Sequence, residues 1–284
     1  MDQQIINLYD EYTHKPVSRN DFMKRLIILT GSTAAALALL PLLENNYAKA
    51  MSTSADDLFT ETITYPSVSG EPMKAYVARP MKMKKYGTVV VIHENRGLNT
   101  HVEDVTRRAA LAGFLAIAPN ALAPLGGTPT VEDEARTLFT KLNADETKQN
   151  FINIFKYLKT RKDCNGKYGC VGFCWGGGMS NTLAVNVPEV KAAVAFYGRQ
   201  AAAADVSKIK AAIQLHYASL DERINAGIAD YEEALKLNKI NYELYMYAGV
   251  NHAFHNDTAG QRYNKAAAKL AWSRTIKFFK KHLS

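Results

Sequence analysis

The chain has 284 residues, 47% of them hydrophobic and 22% charged, which suits one large folded α/β domain and excludes a low-complexity or disordered protein. The net charge is +8, but the Lys and Arg residues are scattered apart from short runs such as Lys82-Met83-Lys84-Lys85, so no nucleic-acid partner is expected. Three Cys are too few for a disulfide framework, and the spacing of Cys164, Cys170 and Cys174 fits no common zinc pattern, so neither a metal nor a cofactor is expected.

The first 50 residues read as a unit of their own. Residues 26–43 are apolar and uncharged, preceded by Ser18-Arg19-Asn20-Asp21-Phe22-Met23-Lys24-Arg25 and followed by the small-x-small motif Ala48-Lys49-Ala50. A charged segment, an apolar segment and a cleavage motif together predict an export signal, cut after Ala50. The segment around Arg19 is twin-arginine-like, with Asn20 where a second Arg would stand, which points to the periplasm. The alternatives are a membrane anchor, the chain's one expected membrane contact, or helices docked on a cytoplasmic domain, with residues 2–12 as an amphipathic extension.

Residues 51–284 form the second predicted unit, the catalytic domain. Residues 61–66 and 73–80 read as an antiparallel hairpin around Ser69-Gly70-Glu71-Pro72. The run Val89-Val90-Val91-Ile92 marks a strand over 86–93 that is buried on both faces. A helix is expected over 100–112 with Gly113 as its cap, then a strand over 114–118 and a Pro-rich loop over 119–131. Helices over 131–142 and 144–161 precede a strand at 168–173 and a helix body at 179–187. Strands at 192–197, 211–217 and 241–247, a helix at 223–238 and a C-terminal helix at 261–282 complete the chain. Strands alternating with helices imply a doubly wound, mostly parallel sheet with an antiparallel edge.

Strand, tight turn and helix meet at Gly172-Phe173-Cys174-Trp175-Gly176, a G-x-S-x-G elbow with Cys for Ser. The helix N-terminus there favours a thiolate. A nucleophile needs a base, and the base needs an orienting acid; the chain order in this architecture is nucleophile, acid, His. Asp221 and His252 each follow a predicted strand and fill those places. Asp221 has a rival role as a helix cap, and His255 is a rival base, expected at the surface. Glu94 ends an earlier strand at the same sheet edge. The backbone N–H groups of Asn95 and Trp175 are the expected oxyanion donors.

These residues carry a resemblance. The segments VVVIHENRGLN, VGFCWGGG, FYGR, the Asp221 loop and GVNHAFHND are similar to those of the dienelactone hydrolase (carboxymethylenebutenolidase) family of the α/β-hydrolase superfamily, from about residue 60 to the end. The resemblance implies attack by Cys174 on a lactone or ester carbonyl, proton transfer by His252, orientation by Asp221, and a Glu94 that pairs with Cys174 and helps to deprotonate it once substrate is bound. It also implies a small-molecule substrate, in reference members a carboxylate. Arg96, Arg136 and Arg199 are then candidate cations and Tyr197 a candidate wall. Members that act on dienelactone carry Ser and Arg where this chain has Ala253 and Asn256, so the likeness extends to the reaction class rather than to that substrate. A thioesterase or peptidase on the same triad, and a binding protein on a hydrolase scaffold, are the rival expectations.

Overall fold

The computed structural model describes residues 1–47, 50–51 and 53–284. The proposed cleavage motif therefore lies partly outside the described residues, at Ala48 and Lys49.

Three helices come first: α1 (Gln3–His14), α2 (Arg19–Thr30) and α3 (Thr33–Leu43). Each begins on a side-chain cap, Asp2, Ser18 and Ser32 respectively. The apolar run 26–43 is thus split. Gly31 ends α2 at φ 79° and Ser32 starts α3, so the two helices meet at 112°. No single helix among the described residues is long and apolar enough to cross a membrane; this bent pair meets that test by length and composition only. The three helices share a small core of Ile5, Leu8, Tyr9, Tyr12, Phe22, Leu26, Ala36, Leu40 and Leu43.

The strands β1 (Leu58–Tyr65), β2 (Met73–Pro80), β3 (Tyr86–Ile92), β4 (Leu115–Asn120), β5 (Cys164–Phe173), β6 (Val190–Phe196), β7 (Ala212–Ala218) and β8 (Tyr242–Tyr247) form one sheet in the order β1-β2-β4-β3-β5-β6-β7-β8. The pairs β1–β2 and β2–β4 are antiparallel and all later pairs are parallel. The expected hairpin and doubly wound sheet are both present.

Period-two alternation sends successive residues of the central strands to opposite cores. Val90, Ile92, Cys170, Ile213 and Leu215 face α6 (Ala144–Leu158), α7 (Trp175–Asn186) and α9 (Ile228–Leu237). Val89, Val91, Val171, Val194 and Phe196 face α4 (Thr100–Leu111) and α10 (Lys265–Leu283). The short α5 (Glu132–Phe139) sits above the sheet's C-terminal edge. The helix expected over 223–238 is two, α8 (Glu222–Asn225) and α9, broken at Gly227.

One correction concerns a single residue. His255 was expected at the surface; it is buried, stacked on Phe173 at 4.8 Å, because the turn after His252 folds back beneath the sheet edge. Cys164 and Cys170 are both free. They pair with Tyr86 and Val90 of β3, four residues apart, which separates them by roughly 13 Å at strand rise, beyond the reach of a disulfide.

Candidate active site

The site lies at the C-terminal edge of the parallel strands, where open sheets place their ligands. Its centre is the turn from β5 into α7. Cys174 has φ 55° and ψ −115°, a conformation a side-chain-bearing residue holds only under constraint. The constraint is close packing. A Cβ on Gly172 would sit 1.8 Å from the Gly176 carbonyl oxygen, and one on Gly176 would sit 2.4 Å from the Ile92 carbonyl oxygen. The Cys174 N–H donates to the Phe196 carbonyl at 3.0 Å, which ties the turn to β6. Trp175 opens α7, so its N–H is among those without a partner inside the helix. Its ring is wedged among His93, Phe139 and Phe151.

The structure brings Asp221 and His252 to this turn from the ends of β7 and β8. His252 Nδ1 lies 2.5 Å from Asp221 Oδ2, both side chains buried. Asp221 also caps α8, accepting from the Ile224 N–H at 3.3 Å with its other oxygen. The two roles weighed for Asp221 are therefore compatible: one carboxylate oxygen serves each. His252 Nε2 is buried and makes no hydrogen bond among the described residues.

Glu94 stands nearby but is held by other groups. Its two oxygens accept from the Tyr197 hydroxyl at 3.2 Å and from Asn256 Nδ2 at 2.9 Å. Tyr197 is fully buried, and its ring lies 4.8 Å from that of His252. It packs against the imidazole and, as expected of a wall residue, is among those lining the cleft beside Cys174.

The group in hydrogen-bonding contact with the sulfur comes from α1. His14 Nε2 lies 3.1 Å from Cys174 Sγ. His14 Nδ1 is 2.8 Å from the Asp10 carbonyl oxygen and 3.2 Å from its carboxylate. Neither residue was singled out in the sequence. The available signal was an acid and a His at i and i+4 in the last turn of an amphipathic helix, a spacing that places them side by side.

Cys174 Sγ and one ring nitrogen each of His14 and His252 all lie within 4.8 Å of one another. A thiolate and two imidazoles form a donor set a metal would accept, but the 3.1 Å contact is shorter than the roughly 3.5 Å separating two ligands on tetrahedral zinc with bonds of about 2.3 and 2.0 Å. Burial pushes the Cys174 thiol up, but the charges on His14 and His252 outweigh it and bring the thiol down to about 6. Burial works against charge on His252 too; Asp221 and the Cys174 thiolate overcome it and hold the imidazole well above its ordinary range.

The cleft beside the sulfur has a volume of about 440 Å³. Cys174, Trp175, Asn95, Phe139, Arg136 and Arg199 are among its lining residues. Of the three candidate cations, Arg96 is withdrawn: it is buried and paired to Glu132 at 3.1 Å. Arg136 is committed to α1, donating to the Tyr12 carbonyl and hydroxyl oxygens and lying 4.1 Å over the Tyr12 ring. Arg199 is exposed on the cleft and makes no ion pair of 4 Å or less among the described residues.

A mostly parallel sheet with a strained, glycine-flanked Cys turn after its fifth strand, and an acid and a His after the seventh and eighth, has the layout of an α/β-hydrolase. The model of the dienelactone hydrolase family matches residues 73–283, and the chain belongs to that family. A relative from Saccharolobus solfataricus, named "Putative carboxymethylenebutenolidase", is 31% identical over 75% of this chain and 95% of its own. One of the same name from Methylorubrum extorquens is 26% identical over 96% of this chain and 98% of its own. The crystal structure of a "Putative Dienelactone Hydrolase" from Klebsiella pneumoniae superposes with a TM-score of 0.70 at 26% identity, covering 79% of this chain and 99% of that one. The protein is accordingly a hydrolase of the carboxylic-ester class.

Proposed function

We propose that the protein hydrolyses lactones or activated carboxylic esters through a thioester on Cys174. The observation that carries this reading is the meeting of a sulfur on a strained elbow with an imidazole held by a buried carboxylate, His252 to Asp221 at 2.5 Å. The substrate carbonyl enters the cleft and the thiolate attacks its carbon. The oxygen charge that develops is taken up by the backbone N–H groups of Trp175 and Asn95. His252, as the imidazolium, gives its Nε2 proton to the leaving oxygen as the C–O bond breaks. The neutral imidazole then takes a proton from water, and the hydroxide attacks the thioester. Collapse of that second intermediate returns the acid product and the Cys174 thiolate, and the proton stays on His252.

A thiolate is itself a good leaving group. Acyl transfer to it is therefore easiest when the departing oxygen is itself a good leaving group, as in an enol lactone or aryl ester, and harder from an amide. Arg199 suits a substrate carboxylate, because its guanidinium borders the cleft without an acidic partner. Turnover of p-nitrophenyl acetate and a panel of lactones, thioesters and peptides tests the reading. Cys174→Ala is expected to lose at least about 100-fold in rate; an unchanged rate rejects the nucleophile, and a preference for peptides rejects the substrate class.

The first 50 residues bear on the same reading. Their buried contacts with the catalytic domain support a segment that stays attached. Export with cleavage after Ala50 would instead strip α1 from the site. The mass of the mature protein isolated from its host decides between the two.

A further inference from the structure

Cys174 is gripped from outside the catalytic domain. Three groups of that domain hold the last turn of α1: Asn95 Nδ2 donates to the Thr13 carbonyl at 2.9 Å, Arg136 donates to the Tyr12 carbonyl at 3.1 Å, and Arg223 Nε donates to Asp10 at 3.2 Å. These contacts fix the helix end so that His14 Nε2 reaches the sulfur at 3.1 Å while Nδ1 stays with Asp10. A helix end that served only as a roof would need no such orientation. Here one ring nitrogen is held by the Asp10 carbonyl oxygen at 2.8 Å and the Thr13 hydroxyl at 3.0 Å, with the Asp10 carboxylate 3.2 Å away, and the other points at the sulfur.

We infer that His14 is a catalytic residue: backed by Asp10, it accepts the Cys174 proton and holds the nucleophile as a thiolate–imidazolium pair in the resting enzyme. This rests on the proposed thioester chemistry and adds a division of labour to it. The S–H proton moves to His14 Nε2 and stays there through acylation. His252 keeps its own proton for the leaving oxygen, so the two imidazoles do not exchange duties within one turnover. Glu94 need not serve as the base, which agrees with its bonds to Tyr197 and Asn256.

The charged and titratable groups facing His14 are Asp10 on its own helix, Cys174 on the elbow, His252 with Asp221 behind it, and Arg223 from α8. Glu94, Arg96, Lys15 and Arg136 lie further out around the same cavities. The His14 and His252 rings touch edge to face at 4.7 Å. Burial works against charge on His14, but the Cys174 thiolate and Asp10 outweigh it and raise the imidazole above its usual range.

The test uses the full-length chain. Iodoacetamide labelling of the Cys174 peptide is followed by mass spectrometry from pH 4 to 9, with Cys174→Ser as the blank. The wild type is expected to reach half-maximal labelling near pH 6. His14→Gln should move that midpoint up by at least about one unit, slowing labelling at pH 6 about fivefold or more, with the acid limb of kcat/KM moving alongside. Added imidazole should restore labelling to His14→Ala, which a lost packing contact would not allow. Asp10→Asn, which keeps the ring in place, should shift the midpoint in the same direction and guards against misfolding of the His14 variants. An unmoved midpoint in both His14→Gln and Asp10→Asn overturns the inference, as does faster ester turnover without His14. Labelling needs no ester, so a normal labelling shift with no ester turnover by the wild type would reject the hydrolase reading and leave the His14 pairing standing.

Discussion

Two Asp–His pairs converge on one sulfur, and they are built in opposite ways. Asp221 and His252 come from loops after different strands, 31 residues apart, and are almost fully buried. Asp10 and His14 share one helical turn and keep 17% and 13% of their side chains exposed. The first pair is fixed by the sheet, so its geometry is as rigid as the core beneath it. The second depends on how α1 is seated, and Asp10 divides its charge between His14 and Arg223. The comparison teaches that a parallel sheet supplies one imidazole to its nucleophile by topology, whereas a second has to be delivered by an added element.

The largest expected effect separates the two pairs directly. Asp221→Asn leaves His252 without its acceptor in a buried site and should lower kcat at pH 7 by at least about 100-fold. Asp10→Asn should cost only about tenfold, because the Asp10 carbonyl still holds His14 Nδ1 at 2.8 Å. Equal losses, measured as kcat on an aryl ester, would remove the distinction.

Next in size is a test of the elbow that both pairs serve. Gly172→Ala must push the Gly176 carbonyl away from a 1.8 Å clash and should destabilise the fold by about 3 kcal/mol or more in urea unfolding. Gly178→Ala meets nothing closer than 3.5 Å and should lie within about 0.5 kcal/mol of the wild type. If both variants were neutral, the close approach at the elbow would not be the reason for its glycines.

A smaller effect belongs to the cleft wall. Arg199→Gln should raise KM about tenfold for an ester carrying a carboxylate, through the loss of one charge-assisted contact, and leave a neutral ester unchanged. Equal changes for both substrates would mean that Arg199 does not recognise the charge.

The smallest effect contrasts the charged imidazoles at the site with the neutral ones beneath it. Burial pushes His93 down to about 4 and His216 down to about 3, and holds His255 well below the usual range. The unfolded chain protonates these rings near 6.5 while the folded chain does not, so unfolding takes up protons as pH falls from about 6.5 toward 4. Their contribution is present above pH 6.5 and is lost through that window. His14 and His252, whose values are raised, contribute fully below 6.5 and do not add to the decline. His255→Phe should therefore make the fall in Tm between pH 6.5 and 4 shallower. An identical slope would mean that His255 titrates normally in the folded state.

How much of this could be read from the sequence follows from the range of each interaction. The elbow stands out because its chemistry is local: glycines two residues either side of Cys174 and an apolar strand before it. Asp221 and His252 were found because each directly follows a strand, and strand ends are easy to place. The central strands β3 to β7 were recognised from their unbroken apolar runs. The N-terminal segment was ambiguous because one composition satisfies two physical demands. The apolar residues 26–43 suit a lipid bilayer as well as they suit a helix pair folded at Gly31, and only Ser32 as a cap hinted at the second. His14 is 160 positions from Cys174 in the chain, with no pattern linking them. Arg96 and Arg136 looked available because the partners that occupy them, Glu132 and Tyr12, lie far away in the chain or on α1. His255 looked exposed because nothing local announces a turn that tucks a polar ring against Phe173.

The fate of the three sulfurs has a consequence for how the protein would fail. Cys164 is buried and receives the Thr88 hydroxyl, and Cys170 lies under Ser180 with its thiol pushed up to about 12. Both are buried, and neither has a neighbouring thiol. Oxidative damage is thereby channelled to Cys174, whose sulfenic acid would form between two imidazoles with no resolving cysteine at hand. A cell under peroxide stress would lose this hydrolase at a single atom while its fold stayed intact, and reduction by a small external thiol would bring it back.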